Sequence, residues 1–127
     1  MKQAIISGCV LLALAVAVCV GSTLLIRTAL DRMSDLHEQT LSFTDASETE
    51  QALDSLTQTA EYWSKCSVWM EMLTDHEDIH SVREQIVSAK ALLEHDDIAQ
   101  YHQCMALLRE SLDHLRRHES MALSNVF

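Results

Sequence analysis

Residues 4–26 read AIISGCVLLALAVAVCVGSTLLI and contain no charged side chain. As a helix this stretch is about 34 Å long, which is enough to cross a hydrocarbon core of roughly 30 Å. Its only polar side chains are those of Ser7, Ser22 and Thr23. A core helix of a domain this small would keep one polar face. The stretch therefore predicts a helix that spans a membrane.

Cleaved signal peptides are the alternatives to an uncleaved anchor. Too little apolar sequence precedes Cys9 for a lipoprotein signal, and a bulky residue precedes Cys19, where a small one is required. Ordinary cleavage after Ala15 would leave an exposed apolar stub, and cleavage after Ser22 would need an unusually long apolar region. We expect residues 1–27 to form a transmembrane signal-anchor.

The flanking charges predict the orientation weakly. Lys2 and the terminal amine lie before the apolar stretch, and Arg27 and Arg32 lie after it, so the two flanks carry nearly equal positive charge. The short N-terminal tail favours a signal-anchor with its N-terminus in the cytoplasm. In that orientation residues 28–127 lie outside the cytoplasm, on the far side of the cell membrane.

Three small residues, Ala13, Ala17 and Gly21, recur at every fourth position of the apolar stretch. Such a stripe lets two membrane helices approach closely and predicts a homodimer contact. Because alanine is common in such segments, chance spacing is the alternative.

Composition after the apolar stretch predicts an all-α fold. The chain has no Pro, and its two Gly, Gly8 and Gly21, both lie in the apolar stretch. Strand-rich folds need turn residues such as Gly and Pro at short intervals, and neither of these two occurs after Gly21.

All 19 acidic residues lie at or beyond Asp31. The resulting acidic surface repels phosphate, which argues against a nucleic-acid partner and against peripheral docking on anionic lipid.

Helical periodicity divides the remainder of the chain. One helix is predicted from about Asp45, with a capping box at residues 47–50, and a second from the capping box at residues 74–77. A third is predicted from Asp96 or Asp97 to about His118. The apolar positions of the three helices follow one another at spacings typical of packed helices: Leu53, Leu56, Ala60, Trp63 and Met70; Ile79, Val82, Ile86, Ala89 and Leu93; Ile98, Tyr101, Met105, Leu108, Leu112 and Leu115.

Short linkers make successive helices antiparallel. We therefore expect a juxtamembrane helical extension over residues 28–44, an acidic helical bundle over 45–118 and a C-terminal tail over 119–127. The bundle has three helices, or four if the extension joins it. A core this small is a physical reason to expect a partner or a dimer.

The order of these features resembles a known family. A single membrane helix is followed by an acidic helix with Trp63, by residues 75–77 (Asp-His-Glu), by a helix pair and by a tail with Glu119 and residues 123–127 (LSNVF). This is similar to the domain of unknown function 4363 family, small single-pass membrane proteins of clostridia-like, spore-forming bacteria. The resemblance implies a bacterial source and a membrane-tethered helical domain, and it implies no catalytic or ligand-binding residue.

Residues 76–80 spell the zinc-protease motif H-E-x-x-H, in which His76 and His80 would bind the metal and Glu77 would activate water. Asp78 places a charge inside the motif, and the motif falls in the first turn of its helix, where Glu77 has a capping role. A third ligand would have to come from one of three residues farther along: Glu84, Glu94 or His95. We interpret these residues as a helix start and expect no protease.

A second pair, His114 and His118, lies one helical turn apart, with Glu110 one turn earlier. Together with His76 and His80 it could bind a transition metal, and an extracytoplasmic metal- or cation-binding sensor is the alternative function. The simpler interpretation is exposed histidine near a helix C-terminus. We expect no cofactor.

Four further residue pairs are candidates for core packing, a disulfide or contact with a partner. Cys9 and Cys19 should behave as small apolar residues, whereas Cys66 and Cys104 are either a disulfide or two buried thiols. Trp63 and Trp69 are predicted core or partner contacts. Val126 and Phe127 either fold over the end of the bundle or dock on a partner or the membrane surface.

No complete active site emerges from these residues. We therefore predict a non-enzymatic, membrane-anchored interaction or accessory module, which contacts another membrane or envelope protein or a second copy of itself. No known small-molecule ligand is implied.

Overall fold

The computed structural model describes residues 1–126, apart from the side chains at positions 122, 123, 125 and 126. It contains four helices: α1 (Lys2–Asp45), α2 (Thr49–Met70), α3 (His76–Glu94) and α4 (Ile98–Val126). Within residues 1–126 there is no strand. The predicted all-α class is confirmed, with a long N-terminal apolar helix followed by a helical bundle.

Helix α1 has two parts that differ in burial along one uninterrupted axis. Up to Val20 its residues are exposed in the isolated chain, whereas from Ile26 onward a buried stripe begins. The stripe repeats at helical spacing and packs in the core: Ile26, Ala29, Leu30, Met33 and Leu36. The predicted extension over 28–44 is thus the first helix of the bundle, and no new helix starts at Asp45, because α1 continues to that residue.

The bundle is an up-down-up-down arrangement of four helices. Helix α1 contacts α2 and α4, and α3 contacts the same two, so that α1 and α3 are diagonal, as are α2 and α4. Trp63 and Tyr101 are the largest fully buried side chains. The indole Nε1–H of Trp63 donates to the Ile79 carbonyl at 3.1 Å, which satisfies its one polar group inside the core.

Two turns without glycine connect the helices at the end of the bundle away from the apolar stretch. Ser47 and Asp96 adopt positive φ, 61° and 60°. After α1 the Glu48 N–H donates to the Phe43 carbonyl at 2.8 Å, and after α3 the Asp97 N–H donates to the Leu92 carbonyl at 2.9 Å. Both turns satisfy the last helical carbonyls as Schellman motifs.

Both predicted capping boxes are wrong. Ser47 is used in the left-handed turn, and the helix N-cap is Glu48, which makes no side-chain cap bond. Before α3 the cap is Asp75 rather than Thr74, since the Asp75 carboxylate accepts the Glu77 N–H at 3.0 Å. Of the two caps predicted for α4, Asp97 is used: its carboxylate accepts the Gln100 N–H.

The last helix is longer than predicted. Helix α4 does not end near His118 but continues to Val126, so residues 119–126 extend the helix instead of forming a separate tail. Neither Gly nor Pro follows His118, so the two residue types that most often end a helix are missing there.

Candidate functional site

The exposed part of α1 is the most distinctive surface of the chain. This helix is long and apolar enough to cross a membrane, with a mean hydropathy of 2.7 in its best window, of which 6% is buried. The core helix of a soluble protein would be mostly buried. Such a helix is compatible with a single membrane span or a signal-anchor.

The predicted packing stripe lies on this exposed part. Ala13 and Ala17 are exposed and Gly21 is partly buried. A Cβ built on Gly21 would meet no atom within 4 Å, so within one chain nothing requires glycine there. Self-association through the three residues stays a prediction.

Hydroxyl groups form a buried polar contact between α1 and α2 that the apolar periodicity did not indicate. The Thr40 and Ser55 hydroxyls are 2.7 Å apart, and Thr40 also donates to the Leu36 carbonyl. Thr59, one turn beyond Ser55, donates to the Ser55 carbonyl. Because each hydroxyl has a partner, the contact fixes the register of the two helices without leaving an unpaired group. The only sequence signal was Ser and Thr at core spacing.

A charged groove of about 330 Å³ separates α1 from α4. Arg116 crosses it, pairing with Asp31 at 2.9 Å and donating to the Ser34 hydroxyl at 3.3 Å. His37 forms part of the floor, and its Nε2–H donates to the Met105 carbonyl at 2.7 Å. Since Arg116 and His37 already have partners in the chain, the groove is a helix–helix contact with some solvent space.

The H-E-x-x-H residues lie at the start of α3, as the helix-start interpretation requires. His76 and Glu77 are exposed, and His80 Nε2 is 3.3 Å from Glu84. The shallow depression beside them is lined by only four residues. Such a surface has no walls for a peptide substrate.

The second histidine pair faces α3. His114 Nδ1 lies 3.4 Å from the Asp78 carboxylate, and the His114 and His118 rings are 5.2 Å apart. Among the residues with described side chains, no group of three or more His, Cys, Asp or Glu is placed to hold a metal ion. The four predicted histidines are not brought into one site.

Cys66 and Cys104 are both free and buried, so of the two alternatives given for this pair the structure shows two buried thiols and no disulfide. They lie on α2 and α4, which are diagonal in the bundle. Cys104 instead donates to the Gln85 carbonyl at 3.2 Å. Burial raises the pKa of both thiols, and the Tyr62 hydroxyl bond to Cys66 offsets this only in part. A protonated, enclosed thiol is a poor nucleophile.

The aromatic and C-terminal predictions have different outcomes. Trp63 is core and Trp69 is partly buried against it. The side chain of Val126 and the whole of Phe127 lie outside the described residues, so their predicted docking role is not addressed by the structure.

Comparison with known proteins gives one positive finding. No curated protein and no solved structure matches the chain. A family model described as Domain of unknown function (DUF4363) matches residues 21–126. The match includes all of α2, α3 and α4 and the whole of the bundle part of α1. The chain therefore belongs to the family Domain of unknown function (DUF4363).

Proposed function

We propose that this protein is a non-enzymatic, single-pass membrane-anchored module whose helical bundle contacts another membrane or envelope protein, or a second copy of itself. The observation that carries the proposal is the division of α1. One part is apolar and unpacked, and the next part is the first core helix of the bundle. An anchor and an interaction domain thus share one helix.

The shared helix limits how far from the bilayer a partner can contact the bundle. Residues 22–45 of α1 contain neither Gly nor Pro, so no kink or flexible linker separates the anchor from the bundle. From Ile26 to Asp45 the helix rises about 29 Å. A partner of the bundle therefore has to present its surface within about 30 Å of the bilayer, as a neighbouring membrane protein does.

The chemistry of the described surface favours contact over catalysis. His76 and His80 lie on an exposed surface without walls. Burial raises the pKa of the Cys66 and Cys104 thiols, and the groove between α1 and α4 holds the ion pair of Asp31 with Arg116. In the proposed topology the N-terminus is cytoplasmic and the acidic bundle faces outward, where its charge keeps it soluble.

Membrane anchoring is tested by extracting cell membranes with alkaline carbonate and blotting for the full-length chain. The proposal expects the intact chain in the pellet, released only by detergent. Recovery of the intact chain in the soluble fraction contradicts it, as does a mature N-terminus after Ser22.

Contact with a partner is tested in the same membranes by chemical crosslinking before solubilisation. We expect an adduct that is larger than the monomer. A homodimer is tested with Ala17→Leu, which puts a large side chain into the small-residue stripe and should prevent the close approach of two helices. Val16→Leu, on another face of the same helix, is the control. Recovery of monomer alone under conditions that preserve known membrane complexes contradicts the proposal.

A further inference from the structure

The two ends of the bundle differ in the apolar surface that they expose. Between residues 28 and 121 the exposed large hydrophobic side chains are Val68, Met72, Leu73, Val87, Ile98, Leu107 and Met121. Four of these seven lie at the end nearer the apolar stretch: Val68, Met72, Leu73 and Met121. The opposite end has the two turns around Ser47 and Asp96, which are polar and acidic.

The height of this apolar end follows from the contacts between helices. Thr40 of α1 bonds Ser55 of the antiparallel α2. Met72 lies seventeen residues beyond Ser55, so it is level with about residue 23 of α1. The turn between α2 and α3 therefore lies beside the end of the charge-free stretch.

Helix α4 reaches at least as far toward the charge-free stretch as the turn between α2 and α3 does. Arg116 contacts Asp31 and Ser34, and His37 contacts Met105. Counting along the antiparallel helix from these contacts places Val126 level with α1 somewhere between residues 16 and 24. The last turns of α4 thus run alongside the charge-free stretch. Gly21, Ser22 and Thr23 are partly buried, whereas every residue before them is exposed, which agrees with a helix lying next to them.

The sequence of the descending segment suits that depth. After Glu119 the chain carries no charged side chain, and four of the last seven residues are large and apolar. A helical end with such a composition is stable in the boundary between headgroups and acyl chains, about 5–10 Å below the surface.

We propose that the base of the bundle, formed by the turn between α2 and α3 and by α4 from Met121 to Val126, lies in the bilayer interface beside α1. The inference rests on the proposed membrane anchoring and adds a second lipid contact to it. The charge-free stretch is a few ångströms longer than a hydrocarbon core, so its outer end and the base reach the same interface. Carboxylates at the rim, on Glu71 and Asp75, make zwitterionic lipid the favoured surface over anionic lipid.

The test measures how fast introduced thiols react in lipid. The full chain is placed in nanodiscs of phosphatidylcholine, where both faces are open to solvent, and is treated with a membrane-impermeant maleimide. Met72→Cys and Met121→Cys report on the base. Val87→Cys is the matched control, because its side chain is 62% exposed and lies midway along α3. The unaltered chain gives the background from the four native thiols.

We expect both base variants to react about tenfold more slowly than Val87→Cys, because a thiol has to leave the interface to react. The slowing should be the same at all protein-to-lipid ratios. Equal rates for base and control variants overturn the inference. Slowing that appears only at high protein-to-lipid ratio also overturns it, because a second copy then covers the base.

The same samples separate this inference from the proposed anchoring. A chain that resists carbonate extraction but reacts equally at all three sites keeps its anchor and lacks the interfacial base. A chain that carbonate extracts intact loses both. Circular dichroism of each variant confirms that the substitution at an exposed site has left the helices in place.

Discussion

Replacing Leu30 by alanine tests whether the second part of α1 belongs to the bundle core. The Leu30 side chain is 1% exposed. Removing three buried carbons costs about 2.4 kcal/mol in transfer free energy at roughly 0.8 kcal/mol each. The cavity left behind raises the loss in unfolding free energy to about 3–4 kcal/mol. Since small domains have roughly 5–15 kcal/mol in total, this is a large fraction.

Leu14→Ala is the matched control, because it makes the same change on the same helix at an exposed position of the apolar stretch. Its side chain faces detergent or lipid whether or not the bundle is folded, so the unfolding free energy should change little. The assay is guanidinium unfolding of the full chain in detergent, followed by tryptophan fluorescence. Both tryptophans, Trp63 and Trp69, lie in the bundle, so the signal is independent of the apolar stretch.

Two results would refute the reasoning. A loss below about 0.5 kcal/mol for Leu30→Ala is the size expected of an exposed surface site and would mean that α1 is not a core helix. Equal losses for Leu30→Ala and Leu14→Ala would mean that the apolar stretch packs on the bundle rather than in lipid.

The remaining predictions concern caps and thiols. Asp75→Ala should lower the unfolding free energy by about 1 kcal/mol, because it removes the N-cap of α3. Thr74→Ala should be neutral or stabilising, because the Thr74 hydroxyl is buried without a partner. If denaturant unfolding showed a larger loss for Thr74→Ala than for Asp75→Ala, Thr74 would be the cap, as the capping box predicted. Ser47→Gly should stabilise by about 0.5–1 kcal/mol, since glycine adopts positive φ without strain; an unchanged or lower midpoint would contradict this. Burial raises the pKa of Cys66 and Cys104, so their contribution is complete below the ordinary thiol pKa and is lost as pH rises through the raised value. The melting temperature should therefore fall as the pH rises above the ordinary thiol pKa of about 8.5, and should fall less in the double Cys→Ala variant. Identical curves for the two proteins would exclude the thiols as the cause. A reductant should leave the melting temperature of the unaltered chain unchanged, and a marked drop would indicate a disulfide.

Local signals were reliable where one physical property decides the outcome. A continuous charge-free stretch determines a long apolar helix, and apolar spacing of three and four determines which faces are buried, as at Ile79, Val82 and Ile86. The absence of Gly and Pro after Gly21 favours an all-α chain over a strand-rich one. These properties act through neighbouring residues alone, so sequence is sufficient.

Helix ends were less well predicted, because competing local bonds have similar free energies. Residues 47–50 and 74–77 both fit a capping box, yet one serine is used for a left-handed turn and an aspartate replaces the threonine as cap. Such choices depend on how the preceding helix must turn to return along the bundle.

Relations between distant residues came only from the tertiary structure. Pairing of Cys66 with Cys104 fails because their helices are diagonal, a consequence of the order in which four helices close a bundle. The contacts of Arg116 with Asp31, and of His37 with Met105, depend on the register between the first and last helices. Sequence alone determined the long apolar helix and the buried faces of the other helices, since these follow from local composition and periodicity. The tertiary structure decided which faces meet and at what height, because those depend on packing between residues far apart in the chain.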